Sequence, residues 1–299
     1  MLSENQAKAS EILDFKTISR TISLVENEVP GYENLLMQLN SSSAKIIGIT
    51  GAPGSGKSTL TDALIGEIVS DKKKVGVLCV DPSSPFNKGA LLGDRIRMSE
   101  WYNHPDVFIR SLASKGSLGG LHPKIIEITD VMKGANFDYI IIETVGVGQS
   151  EVDIAALADI TVVVLVPEGG DVIQTMKAGL MEVADIFVIN KYDRPDAATY
   201  YNNLKQMLAP AFHHSQKEIP VLKTIASQKE GVHELFTIIA AWDFKTMPAK
   251  KIELLTEKIW AIIQHKKMKG INREDLKNNL LKAISQPRFN MYHFAEKYF

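Results

Sequence analysis

A chain of 299 residues corresponds to about two domains at roughly 150 residues each, or to one large α/β domain with appendages. Hydrophobic residues make up 45% and charged residues 23%, which excludes a disordered or collagen-like chain, and a single cysteine, Cys79, excludes an internal disulfide and fits a reducing compartment. Thirty-four basic residues against thirty-five acidic ones leave a net charge of −1, which argues against a general electrostatic grip on nucleic acid or on an anionic membrane. Residues 1–43 read as an amphipathic helical extension that ends in a Ser41-Ser42-Ser43 linker. The first residues carry no basic patch followed by an apolar core, so no secretory signal is expected and the cytoplasm is the default location. From residue 44 short β-branched runs alternate with helical stretches: Lys45–Thr50, Val75–Val80, Asp106–Arg110, Tyr139–Glu143, Ile160–Val166, Ile186–Asn190 and Ile219–Ile225. Most are nearly continuous apolar, as strands buried on both faces must be. They predict a doubly wound α/β domain over 44–247, a mostly parallel sheet with helices on both faces. Ile160–Val166, the strongest apolar run, is far short of the about 20 residues that span a bilayer. Beyond Pro248, Ile252, Leu255, Ile259, Ile262 and Ile263 recur at helical spacing, and a second helix is predicted from about 273 to 285. Residues 248–299 are thus a C-terminal helical extension. Trp101, Trp242 and Trp260 are expected in the core.

The first predicted strand runs into Gly51-Ala52-Pro53-Gly54-Ser55-Gly56-Lys57-Ser58-Thr59, and a helix is expected from Leu60 to Val69. This is GxxxxGK[ST] in its proper context, a P-loop. The glycines let backbone amides turn inward around a β-phosphate, Lys57 reaches the β- and γ-phosphates, and the Ser58 hydroxyl suits Mg²⁺. A later strand ends in Asn190-Lys191-Tyr192-Asp193. The Asp193 carboxylate can accept from guanine N1–H and from the exocyclic amine, a donor pair that adenine lacks. Lys191 would lie over the base, and Asn190 would tie this segment to the phosphate loop. After the last strand, Ile225-Ala226-Ser227 precedes Gly231, where GTPases offer a backbone amide to guanine O6. GTP and GDP are the expected ligands, with Mg²⁺.

Strand 139–143 ends in Glu143-Thr144-Val145-Gly146-Val147-Gly148-Gln149, where GTPases carry DxxG. The Gly146 amide would bond a γ-phosphate. Glu143 would be a carboxylate on the metal side, directly or through water. Val147 follows Gly146 and cannot orient water, so slow hydrolysis accelerated by a partner is expected. Gln149 either swings in as the water-positioning side chain or, with Ser150, only caps a helix. Asp81 closes the second strand and either supports Mg²⁺ or caps the Pro-Ser-Ser turn that follows it. Asp94 would join the metal set when its loop closes, and Arg95 and Arg97 either contact phosphate or form a solvated face.

Together GAPGSGKST at 51–59, VDPSSP at 80–85, LLGDRIRM at 91–98, SKGSLGG at 114–120, ETVGVGQSE at 143–151 and NKYD at 190–193 resemble the MeaB/ArgK family, the methylmalonyl-CoA mutase-associated GTPases, in older usage LAO/AO transport kinases or ATPases. The resemblance covers roughly residues 44 to 243. It implies a homodimeric G-protein chaperone that uses GTP binding and hydrolysis to gate cofactor loading of an adenosylcobalamin-dependent acyl-CoA mutase and to protect it. It also implies switch elements over Asp81 to Met98 and Glu143 to Glu151, a third mobile loop over Pro167 to Lys177, and a dimerisation arm in the tail. Two other classes share the P-loop. A metal-insertion GTPase needs a soft-ligand cluster, yet of the seven histidines only His213 and His214 adjoin and Cys79 lies on a predicted buried strand. A P-loop kinase needs an acceptor site and a lid, which nothing in the sequence marks. The base-off cobalamin motif DxHxxG is absent, so a cofactor-binding partner is expected in place of direct cobalamin binding.

Overall fold

The computed structural model describes residues 14–39, 43–81, 98–114, 121–144, 146, 150–167, 180–212, 219–244, 249–268, 270–284 and 289–298. Residues 1–247 make one compact unit and residues 248–299 a second. In the first unit, β1 (Lys45–Thr50), β2 (Val75–Asp81), β3 (Val107–Ala113), β4 (Tyr139–Glu143), β5 (Ile160–Leu165), β6 (Ile186–Ile189) and β7 (Val221–Lys223) form a sheet in the order β3-β2-β4-β1-β5-β6-β7. Every pairing among the described strands is parallel. Parallel strands all end on one edge. The strand β1 sits between β4 and β5, where the strand order reverses, and that is where α/β sheets open a crevice beyond the strand ends.

The alternation of side chains along each strand explains the layers. Ile47, Ile49, Val77, Ile141 and Val162 face α3 (Lys57–Ser70) and α8 (Val232–Ala241), meeting Leu60, Leu64, Ile68, Val232, Leu235 and Ile239. Ile46, Leu78, Ile140 and Ile142 face the other way, against α1 (Phe15–Glu26), α4 (Ile125–Lys133) and α5 (Ser150–Leu157). Farther along the sheet, Val163, Leu165, Phe187 and Ile189 pack on α6 (Leu180–Val183) and α7 (Ala197–Phe212). Each large aliphatic side chain buried in these layers contributes about 1.5–3 kcal/mol.

Five of the seven strands differ at an end from expectation, β5 stopping at Leu165 and β6 at Ile189, each one residue early. β3 runs on through Ala113, because Ser111, Leu112 and Ala113 pair with Cys79, Val80 and Asp81. β2 accordingly includes Asp81. β7 is shorter at both ends: Pro220 has no N–H to donate, and Ile225 leaves the sheet to bridge Glu230.

The N-terminal helices are part of the core unit. Asp14 caps α1 by accepting from the Thr17 N–H at 2.6 Å. Ile18, Ile22 and Val25, at helical spacing, are fully buried. The Phe15 ring lies 5.5 Å from that of Phe108 and 6.1 Å from that of Phe137. Arg110 on β3 reaches across to Glu26 at 3.1 Å and to Ser23 at 3.2 Å. A short α2 (Tyr32–Met37) follows.

The second unit contains α9 (Ala249–Lys267), α10 (Arg273–Ile284) and α11 (Met291–Ala295). The last was not anticipated, although Asn290 is a cap residue whose side chain accepts from the N–H groups of Tyr292 and His293. Trp101 and Trp242 pack against the core as expected, but Trp260 on α9 is 59% exposed, as are most of the apolar residues that share its helix. Among the described residues no helix is long and apolar enough to cross a membrane.

β1 and α5 approach closely at Gly48, where a Cβ would lie 2.7 Å from Ile154 Cγ1 and 3.0 Å from Ala158 Cβ. Gly48→Val should overpack this layer and destabilise the unit by about 1–3 kcal/mol. A lowered urea midpoint is the expected result; an unchanged midpoint would mean that the contact does not set the layer spacing.

Candidate nucleotide-binding site

β1 delivers the chain into the glycine-rich loop, and α3 starts at Lys57, earlier than the Leu60 expected, so that Lys57, Ser58 and Thr59 form the first helical turn. The early start places the unpaired amides and positive end of the helix at the loop itself. The Ser55 N–H closes the turn at Pro53-Gly54 on the Ala52 carbonyl at 3.2 Å. Gly56 has φ +90°, and a Cβ there would collide with the Asn190 side-chain nitrogen.

The Lys57 side chain is 6% exposed, and its ammonium donates to the Gly51 carbonyl at 2.9 Å and to the Ala52 carbonyl at 3.1 Å. Gly146 stands beside it at φ +80°: a Cβ there would lie 2.7 Å from Lys57 Nζ and would collide with the Gly51 carbonyl oxygen. Thus β4's exit segment touches both the loop and its lysine.

Glu143, the last residue of β4, is 4% exposed. Its Oε1 accepts from Ser58 Oγ at 2.6 Å and its Oε2 from Thr61 Oγ1 at 3.0 Å. Burying a carboxylate is costly unless donors satisfy it, and these two hydroxyls do so. Thr61 was missed in the sequence, although it lies three residues after Ser58, on the same face of the helix. A second pair missed there, Thr50 and Thr144, brings its hydroxyl oxygens to 2.9 Å, and the Thr144 N–H donates to the Ile49 carbonyl at 3.0 Å. Asp81 lies at the same edge of the sheet on the strand next to β4, mostly buried, and its carbonyl accepts from the Ser114 N–H at 2.9 Å. Asp94 and Gln149 lie outside the described residues, as do Arg95, Arg97, Lys177, His213 and His214.

At the other end of the loop, Asn190 follows β6 and is 2% exposed. Its amide nitrogen donates to the Ser55 carbonyl at 2.9 Å, and its oxygen accepts from Thr224 Oγ1 at 3.1 Å and from the Ala226 N–H at 3.0 Å. Lys191 has φ +56°, and the Tyr192 N–H donates to the Thr224 carbonyl at 3.0 Å. Gly56, Thr59, Asn190, Lys191, Ile225, Ala226 and Ser227 line one cleft with about 280 Å³ of empty space, part of it open to solvent. Asp193 stands exposed in the same segment but is not among the residues lining the cleft. The Ala226 amide, one of those expected to face a base, is engaged by Asn190.

One more contact ties α3 to the chain near its surface. The Trp101 indole N–H donates to Asp62 at 2.8 Å. Burial pushes the Asp62 carboxyl above its ordinary range despite that bond, with Glu100 adding to the rise.

Asn190→Ala should leave the Ser55 carbonyl, the Thr224 hydroxyl and the Ala226 N–H without their partner, at a cost of at least about 2 kcal/mol. Denaturant unfolding should register that loss. Stability equal to that of the parent protein would contradict the bridging role.

A model of the family described as methylmalonyl Co-A mutase-associated GTPase MeaB matches residues 18–283. The GTPase ArgK of Escherichia coli (strain K12) is 37% identical over 241 residues, which cover 77% of this chain and 72% of ArgK. A fused isobutyryl-CoA mutase of Geobacillus kaustophilus (strain HTA426) is 36% identical over 243 residues, covering 76% of this chain and 22% of the mutase. Among solved structures, a LAO/AO transport system kinase matches with a TM-score of 0.62 at 25% identity, covering 95% of this chain and 91% of that one.

Proposed function

The chain belongs to the MeaB family of methylmalonyl-CoA mutase-associated GTPases, and from that premise we propose that it is a GTP-hydrolysing chaperone that gates cofactor loading of an adenosylcobalamin-dependent acyl-CoA mutase and protects it. The observation that carries the guanine-nucleotide reading is Asn190, which joins the phosphate loop at Ser55 to the NKYD segment and to Thr224 and Ala226. One end of the resulting cleft suits phosphates and the other a base.

In this reading the bond cleaved is the β–γ phosphoanhydride, attacked by water. Lys57 exchanges its carbonyl partners for β- and γ-phosphate oxygens and, with the loop amides from Gly51 to Thr59, stabilises the charge that develops there. The Gly146 amide, next to Lys57, senses the γ-phosphate. Asp193 accepts from the guanine N1–H and amine, Lys191 covers the base, and the Ala226–Ser227 backbone approaches O6. The hard oxygen donors Ser58, Asp81 and Glu143 fit Mg²⁺, and Ser58 directs its hydroxyl proton to Glu143. Bound Mg²⁺ would supply charge neutralisation across the β- and γ-phosphates. Asp94 is assigned to the metal set and Gln149 to water positioning. Hydrolysis then releases the switch segments and changes affinity for the partner.

The mutase assignment draws support from the Geobacillus kaustophilus relative, in which a segment similar to this chain lies within a fused isobutyryl-CoA mutase. A homodimer formed through residues 248–299 draws support from the exposed apolar side chains of α9, Ile252, Ile259, Trp260, Ile262 and Ile263. Changing both Ile259→Asp and Ile263→Asp should shift sedimentation from dimer to monomer; an unchanged coefficient would refute that interface.

Lys57→Ala should abolish GTP hydrolysis with the circular dichroism spectrum retained, and Asp193→Asn should remove the preference for GTP over ATP. Turnover at the parental rate in Lys57→Ala would reject the hydrolytic assignment. Capture from native extract in the presence of a non-hydrolysable GTP analogue should yield a cobalamin-dependent mutase. A hydrogenase or urease component in its place would favour metal delivery.

A further inference from the structure

The two side chains assigned to guanine, Lys191 and Asp193, flank Tyr192, and Tyr192 is held by groups from two other elements. Lys223, at the end of β7, places its ammonium 4.9 Å from the centre of the Tyr192 ring and 4.3 Å from that of Tyr201 on α7. The two rings meet edge to face, 6.4 Å apart at 86°. Lys205 approaches Tyr201 at 5.4 Å. Both tyrosines are partly buried against the core that β5, β6 and α7 share. The backbone beneath them is also tied, by the Tyr192 N–H to the Thr224 carbonyl at 3.0 Å and by the Arg194 N–H to the Lys191 carbonyl at 3.0 Å.

Resting on the guanine-binding reading above, we infer that Tyr192, Tyr201 and Lys223 are positioning residues for base specificity. Asp193 is exposed, so the direction of its carboxylate depends on the segment that carries it. Accepting two parallel N–H bonds from guanine requires that direction to be held. A single bond, as hypoxanthine offers after loss of the exocyclic amine, tolerates rotation. A cation placed against both rings restrains Tyr192, and with it the residues on either side.

Calorimetric titration with GDP, IDP and ADP tests this on the full chain. Lys223→Met and Tyr201→Leu should each weaken GDP binding about two- to five-fold, the range expected of an exposed cation–π contact, while IDP binding changes less. The GDP-to-IDP affinity ratio should therefore contract in both. Lys223→Arg and Tyr201→Phe, which keep the cation and the ring, should hold the parental ratio. A ratio that stays parental in both Lys223→Met and Tyr201→Leu, whether GDP and IDP weaken equally or not at all, overturns the inference alone. Parent protein that binds ADP as tightly as GDP overturns the guanine reading and this inference with it.

Discussion

A buried carboxamide cannot be left half satisfied, and the site is organised around that constraint. Asn190 has one donor group and one acceptor oxygen to place out of water, and its three partners come from two separate segments: Ser55 of the phosphate loop, and Thr224 and Ala226 of the turn after β7. Meeting those bonds at once requires the C-terminal edges of β1, β6 and β7 to be in register. The parallel sheet provides that register, with Asn190 itself bonding back to Leu165 and Thr224 to Ile189. The end of the cleft at Asn190 and Lys191 is therefore rigidly related to the phosphate-loop end.

The phosphate end follows the same logic with charge. Lys57 and Glu143 are both buried. Each has neutral partners: carbonyls for the ammonium, hydroxyls for the carboxylate. Carbonyl and hydroxyl partners such as these are weaker competitors for a ligand than an opposite charge would be. Gly146 enters this arrangement by lacking a side chain, because any Cβ would meet the loop carbonyl and the ammonium. Gly146 is thereby fitted directly against the loop and its lysine.

The two helical extensions differ in kind. Along α1, Ile18, Ile22 and Val25 are fully buried against α4 and the sheet, and the Arg110–Glu26 contact fixes the helix to β3. Along α9 a comparable periodic apolar pattern stays exposed. The first is an integral layer of the GTPase unit; the second leaves its apolar side chains open to solvent.

Much of this was legible in the residues alone. The parallel sheet followed from short, nearly continuous apolar runs separated by helical stretches, because strands buried on both faces need no alternation. The loop at 51–59 and the segment at 190–193 were legible because their chemistry is carried by residues close together in the chain. Asn190's tie to the phosphate loop was likewise expected. Other contacts between distant segments were not legible: Thr61 with Glu143, Thr50 with Thr144, Trp101 with Asp62, and Lys223 against Tyr192 and Tyr201. Nor did helical periodicity distinguish the buried face of α1 from the exposed face of α9, since an amphipathic pattern states that a face seeks cover and not what covers it. Local sequence determines strands, turns and motif chemistry through backbone sterics and hydrophobic spacing. Which side chains then complete the site depends on strand order and register, and those are settled only when the whole sheet packs.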